Sequence, residues 1–347
     1  MVKYKYKYKY KSIKNILFLV LLLSKLYSFI KLKFLLIFTQ EGLYMKKFRV
    51  LIFDKLKYIS NKLAPYGYLL PLGILLTSFY IIPIIMSFIF SFTKYNIMTP
   101  AKYIGLKNYY SIFKDKIFVE ALKNTLYFTA IVVPVQTILS LIIAVWLTSR
   151  KKSPLAEFVK GVMFIPVISS MILISIVWRI LLNGDSSPLN IFFEILGLDT
   201  PNWLGNSKLV LPTMMAISIW KNIGYFMIIY IAGIMDIPQS YYEAAEVDGA
   251  SKWNIFRNIT VPLLKPTTIM VVFIGCIWSL QTFDIVYTLT GGGPGLASMT
   301  IVLHIYNLAF KQFNAGYAMA VANILFLIIV IISIMQKKFI KKDKSVY

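Results

Sequence analysis

An all-α integral membrane protein with six spans is the fold class this sequence predicts, on three observations. The 347 residues are 58% hydrophobic and only 15% charged, more apolar than an ordinary soluble domain. Mean hydropathy is +0.71. Six segments lie near 66–92, 121–148, 155–182, 207–233, 266–288 and 317–337. Each has the roughly twenty mostly apolar residues a helix needs to cross hydrocarbon while satisfying its own backbone. Basic residues gather at the flanks of these segments, as membrane topology favours.

The same composition excludes several classes. The single cysteine, Cys276, allows neither an internal disulfide nor a cysteine-rich metal site. The single histidine, His304, argues against a catalytic triad or a zinc cluster. No metal and no cofactor is expected, and no enzyme activity. A formal charge of +23 would point to nucleic acid in a soluble protein. Here the lysines beside the spans account for it, and no nucleic-acid partner is expected.

The elements follow in chain order. Residues 1–44 open with MVKYKYKYKYKS and continue as an apolar stretch broken by Lys25, Lys31 and Lys33. A signal peptide and an extra span are two readings. A third fits better. Lys-Tyr repeats back-translate to AT-rich DNA, Gln40-Glu41-Gly42 can encode a ribosome-binding sequence, and Met45-Lys46-Lys47 follows as a bacterial start. Residues 1–44 are therefore expected to be a non-native upstream extension, and mass spectrometry of the purified protein should find no peptide covering 13–40. Residues 45–65 form a basic segment, 66–337 the membrane domain, and 338–347 a basic tail. The segment 46–62, the SRKKSP connection at 149–154 and the tail all carry basic clusters. Six spans put the three on one side, so both termini are expected in the cytoplasm. The 93–120 loop, with five lysines, runs against this and is placed outside by parity. The 183–206 loop reads as a polar external loop. Pro71, Pro83, Pro134 and Pro166 lie within spans and read as kinks that neighbouring helices can tolerate.

The loop 234–264 is the longest internal one. Pro238 suits a helix start. Ser240 and Glu243 form S-x-x-E, a capping box. Gly249 after Asp248 suits a left-handed helix stop. Ser251 can cap a second short helix whose Trp253, Phe256 and Ile259 share one side. Pro262 and Pro266 then stiffen the return to the membrane. The loop therefore reads as two short helices joined by a glycine turn, with Ala244 and Ala245 giving a small-residue face suited to a partner's groove.

From these residues the chain resembles the permease subunits of ABC importers. EAAEVDGASKWNIFRNITVPLLKP at 243–266 looks like their cytoplasmic EAA motif. SFTKYN at 91–96, YIGLKNY at 103–109, NTLYFT at 124–129, AGIMDIP at 232–238, FDIVYTLTGGGP at 283–294 and GYAMA at 316–320 are similar to the carbohydrate branch, of maltose and glycerol-phosphate type. The resemblance runs from about residue 66 to the C-terminus; residues 1–44 match nothing in the family.

That resemblance implies a permease fold with an EAA coupling loop, and a subunit of a binding-protein-dependent sugar importer in a bacterial cell membrane. The sequence holds no G-x-x-x-x-G-K-[ST] phosphate loop; the glycine-rich TGGGPG at 290–295 reads as a tight turn. The resemblance therefore implies two copies of a separate cytoplasmic ABC ATPase, a second permease chain and an extracytoplasmic solute-binding protein. Glu243, Ala244, Ala245, Asp248 and Gly249 would carry ATPase coupling. The family's cavity falls on Ser218, Lys221, Asn222, Tyr225, Ser279, Gln281, Thr282 and Asp284. Lys221 and Asp284 are also singled out because charge inside a span is costly. Lys221 would favour an anionic solute such as a glycerol phosphate. Trp178 with Arg179, and Trp203 with Trp220, read as interfacial anchors and packing. A membrane scaffold or channel without a transport cycle is the competing class, and the EAA-like loop argues against it.

Overall fold

The computed structural model describes residues 27–28, 68–96, 98–150, 153–184 and 187–341, with side chains to Lys337. Residues 1–44, apart from 27–28, and the 45–65 segment lie outside the described residues, as does the tail beyond Lys341. The chain divides into two compact units, Met1–Ile81 and Ile82–Tyr347. The first is described from Tyr68 onward, by the helical stretch that ends the unit.

Helices long and apolar enough to cross a membrane fall on the expected segments. They are α1 (Tyr68–Ser91), α3 (Lys116–Thr148), α7 (Val210–Met235) and α13 (Ala315–Lys341, apolar through Lys337), with the stretch Lys265–Leu289 treated below. The expected 155–182 span is two helices, α4 (Pro154–Ile168) and α5 (Met171–Leu182), bent by 101°. Ser169 and Ser170 both take extended backbone at the break. Pro166 withholds a donor from the last turn of α4, and Ser169 Oγ bonds back to the Ile165 carbonyl at 3.2 Å. Both effects loosen a helix end.

The expected 266–288 span is also interrupted. α10 (Lys265–Leu280) stops, residues 281–283 pass in irregular backbone, and α11 (Asp284–Leu289) resumes. Irregular backbone at such depth is tolerated where it lines a cavity, and it does so here, as described below.

Between spans the chain adds small elements. Strands β1 (Thr93–Asn96) and β2 (Thr99–Tyr103) form an antiparallel hairpin. Asn96 Oδ1 accepts from the Met98 and Thr99 amides at 3.2 and 2.7 Å, turning the chain as an Asx turn does. α2 (Lys107–Ile112) follows. Its buried Asn108 donates to the carbonyls of Ser91 and Thr93 at 2.8 and 2.9 Å, tying α2 to the end of α1. Asp115 caps α3 by accepting from the Ile117 amide at 2.8 Å, and its other oxygen accepts from Tyr317 Oη at 3.0 Å. His304 in α12 (Ile301–Tyr306) lies 3.3 Å from that same oxygen, so one cap joins three helices.

The core is helix on helix. α3 packs along α7 over two buried clusters. One includes Phe118, Phe128, Val132, Met214 and Ile285. The other includes Ala144, Phe226, Met227, Tyr230, Leu264 and Val271. Lipid tails are as apolar as these side chains, so close packing and interhelical hydrogen bonds hold the helices together rather than exclusion of water. Ser87 Oγ to Asn323 Oδ1 at 3.1 Å and Tyr230 Oη to Thr268 Oγ1 at 3.1 Å are such bonds. Ile131, Ile138, Ile142, Leu173 and Ile176 are exposed, as lipid-facing positions should be.

Candidate functional site

Two sites sit on one rod, the helix α7. At its C-terminal end Asp236–Pro238 lead into α8 (Gln239–Val247). The N-cap is Pro238, with extended ψ and no side-chain cap bond. The expected Ser240–Glu243 capping box is therefore not formed. Pro238 starts the helix two residues earlier, and Ser240 lies within the first turn, where its amide is no longer the one a cap answers. Glu243 is consequently exposed and makes no local bond.

The stop is as expected. Gly249 has φ +72. Its amide donates to Glu246 O at 3.0 Å, and the Ala250 amide to Ala245 O at 2.9 Å. These are the two bonds of a Schellman motif. Ser251 then caps α9 (Lys252–Ile255), accepting from the Asn254 amide at 3.3 Å. The helical path continues through a π turn at Phe256–Thr260 and a short turn at Val261–Leu263. Trp253 and Phe256 stack with centroids 5.5 Å apart. Tyr242 Oη meets Thr260 Oγ1 at 3.3 Å, closing the two helices on each other. Glu243, Ala244, Asp248 and Gly249 are exposed and Ala245 is half-buried. All five predicted coupling residues thus lie on one short element, four of them open to a partner.

Near the middle of α7 lies a cavity of about 390 Å³. Seven of the eight predicted path residues line it: Ser218, Lys221, Asn222, Ser279, Gln281, Thr282 and Asp284. Helix α7 contributes the first three, α10 and the break after it the next three, and the first turn of α11 the last. The eighth, Tyr225, is not a lining residue; its ring packs 4.8 Å from Trp278, which is. Among the described residues no carboxylate stands within ion-pair distance of Lys221. Ser218 is 4% exposed, and its Oγ has no hydrogen-bond partner among the described residues. A cation, an anion, three hydroxyls and two carboxamides thus face one small space between apolar spans. That donor and acceptor set suits a polar, hydroxyl-rich solute.

Sequence reasoning missed Phe128, Met171, Trp278, Phe283 and Ile285 in the lining. It also missed Gln136, fully buried in α3, whose Oε1 accepts from Asn222 Nδ2 at 3.3 Å. A lone amide within an apolar span was the available signal, because polar groups there hold helices together. Gln136 Nε2 has no hydrogen-bond partner among the described residues. Gln136→Leu therefore removes one bond and one orphaned donor together. Its stability, read by thermal unfolding of the solubilised protein, should change by no more than about 1 kcal/mol. Uptake should fall, because Asn222 loses the group that orients it. A large loss of stability would make Gln136 a strut rather than a positioning residue. The indoles also differ from expectation: Trp220 packs edge-on to Trp178 at 5.8 Å, whereas Trp203 Nε1 bonds Asn190 Oδ1 at 2.9 Å.

Comparison with known proteins agrees with this geometry. Residues 127–342 match the family described as binding-protein-dependent transport system inner membrane component. The chain is 35% identical over 289 residues to "Probable ABC transporter permease protein YurN" of Bacillus subtilis, covering 82% of this chain and 99% of that protein. It is 34% identical over 264 residues to the trehalose/maltose transport system permease protein MalF of Thermococcus litoralis, covering 76% and 87%. A chain in the crystal structure of a bacterial ABC transporter involved in import of the acidic polysaccharide alginate superposes with a TM-score of 0.73 at 23% identity, covering 84% of this chain and all of that one. At that identity the likeness speaks to fold.

Proposed function

The chain belongs to the inner membrane components of binding-protein-dependent transport systems, and on that premise we propose that it is one of two permease subunits in an ATP-driven sugar importer. One observation carries the reading. The polar cavity and the exposed helix–turn–helix are joined by a single helix, α7, with Lys221 near its middle and the coupling loop at its end. An ATPase that grips the loop through Glu243 and the Ala244–Ala245 face would move α7 as it closes. That motion would rock the helices around a site at mid-membrane, which is alternating access. Both termini and the coupling loop then lie in the cytoplasm, with residues 290–314 outside. A sugar is supported by relatives named as trehalose/maltose, lactose and arabinooligosaccharide permeases and by the hydroxyl and amide lining of the cavity. Lys221, with no carboxylate at ion-pair distance among the described residues, favours a second reading, an anionic solute such as a glycerol phosphate or an acidic sugar.

Co-purification from the native cell tests the assembly. The chain alone should hydrolyse no ATP, and it should bring down an ABC ATPase, a second permease and, on crosslinking, a solute-binding protein. A stable, transport-active homomer without an ATPase would defeat the importer reading.

A further inference from the structure

The connection between α5 and α7 is less polar than its sequence suggests. It contains α6 (Pro188–Ile195), which begins at Pro188 with Ser187 as N-cap. The helix turns one polar side chain, Asn190, inward and leaves Glu194 exposed at the edge of its outer face. Asn190 is fully buried; it accepts from Trp203 Nε1 at 2.9 Å and donates to the carbonyls of Gly184 and Pro201 at 3.3 and 3.4 Å. Leu189 and Phe193 share that inward side, and the Phe193 ring lies 5.8 Å from Trp203. The opposite face is apolar. Ile191, Phe192 and Ile195, spaced i, i+1 and i+4, are 47, 55 and 77% exposed. Leu196 and Leu198 extend the same surface past the helix end.

We propose that α6 lies flat in the membrane interface with Ile191, Phe192 and Ile195 sunk into the boundary between headgroups and acyl chains. The occupant is lipid rather than protein because this surface continues the exposed apolar side of α5, half of a candidate membrane span. α5, which leads into α6, exposes Ile172, Leu173, Ile176, Val177 and Ile180 in the same way. Its last residue, Leu182, is buried, and only four residues of sequence separate it from Ser187. α6 also lies at the end of the bundle opposite the coupling loop, because α7 runs between them. The inward hydrogen bonds of Asn190 fix the helix about its own axis, so the apolar face cannot turn to hide. Within residues 188–199 the charges are Glu194 and Asp199, with no lysine or arginine. Attachment therefore rests on buried apolar area and not on attraction to anionic lipid. The element would anchor the outer end of the broken span while α7 moves.

Spin labels test this without knowledge of the solute. Cysteines are placed singly at Ile191, Phe192 and Ile195, with Lys208 as an exposed polar control, in a Cys276→Ser background. The full-length chain, with the subunits that co-purify, is reconstituted into phosphatidylcholine vesicles and into vesicles with phosphatidylglycerol added. The ratio of collisions with oxygen to collisions with a water-soluble nickel chelate should be several-fold higher at the three apolar positions than at Lys208, equally in both lipids. Nickel access at the three positions would put the face in water and overturn the proposal. Exclusion of both reagents would mean that a second permease or a solute-binding protein covers it, which overturns it equally.

Discussion

Gly249→Val is expected to yield a protein that inserts normally and no longer holds its ATPase. The glycine sits at φ +72, where an L residue loses about 1–2 kcal/mol and a β-branched one more. The backbone would relieve this by leaving the left-handed region. It would then forfeit the bonds from the Gly249 and Ala250 amides to Glu246 and Ala245, and the angle between α8 and α9 would open. The spans bury their own cores away from the loop, so membrane insertion should be unaffected. Gly249→Asn should retain most binding, since asparagine tolerates the left-handed region. Glu243→Gln isolates charge from shape. Because no capping box forms, Glu243 has no local partner to lose, and the substitution removes only its negative charge. If the carboxylate enters a basic groove on the ATPase, leaving that partner unpaired in the interface can amount to about 3–5 kcal/mol. Pull-down of the ATPase by the wild type, Gly249→Val, Gly249→Asn and Glu243→Gln reads all of this. Full retention by every variant would reduce the loop to a well-capped connection.

What the sequence reveals and hides follows from which interactions are local. The apolar segments were legible because a span must satisfy the bilayer residue by residue, and each is helical, two of them with a break. The glycine stop at 249 and the serine cap at 251 were legible because both are set by bonds within a few residues. At the start of α8 the role of Pro238 was legible and only the capping box fails: S-x-x-E satisfies the capping pattern, but the helix has already begun after Pro238. The interruptions at Ser169–Ser170 and at 281–283 were hidden because long apolar runs flank each, so the few polar residues inside read as part of one span. The inverted α6 was hidden for another reason. Its polar Asn190 is inside only because Trp203, thirteen residues on, is there to meet it. The cavity was legible from the resemblance and from intramembrane polarity, so the polar lining residues of α7 and α10–α11 were found, and the apolar Trp278, Phe283 and Ile285 beside them were not. Phe128, Met171 and Gln136 come from α3 and α5, and only the packing of helices brings them to the same place.

Lys221→Met is the substitution that decides what the cavity does. Methionine keeps the length and the apolar stem of lysine, so the packing of α7 against α3 should persist and the importer should assemble. What disappears is a cation that, among the described residues, has no carboxylate at ion-pair distance. If it meets the solute, the loss of a hydrogen bond to a charged group is about 1.5–3 kcal/mol, or roughly tenfold to more than a hundredfold in uptake. ATP hydrolysis stimulated by the loaded binding protein should remain measurable, because the coupling loop is untouched. Comparing neutral sugars with glycerol phosphate and uronate-bearing sugars then separates the two readings. A loss confined to the acidic solutes marks Lys221 as the anion's partner. An equal loss for both marks it as a donor to hydroxyls, with Asp284 as the matching acceptor across the same cavity. Unchanged uptake of every solute by a well-assembled complex would remove Lys221 from the path and leave it as a residue that balances Asp284 within the membrane.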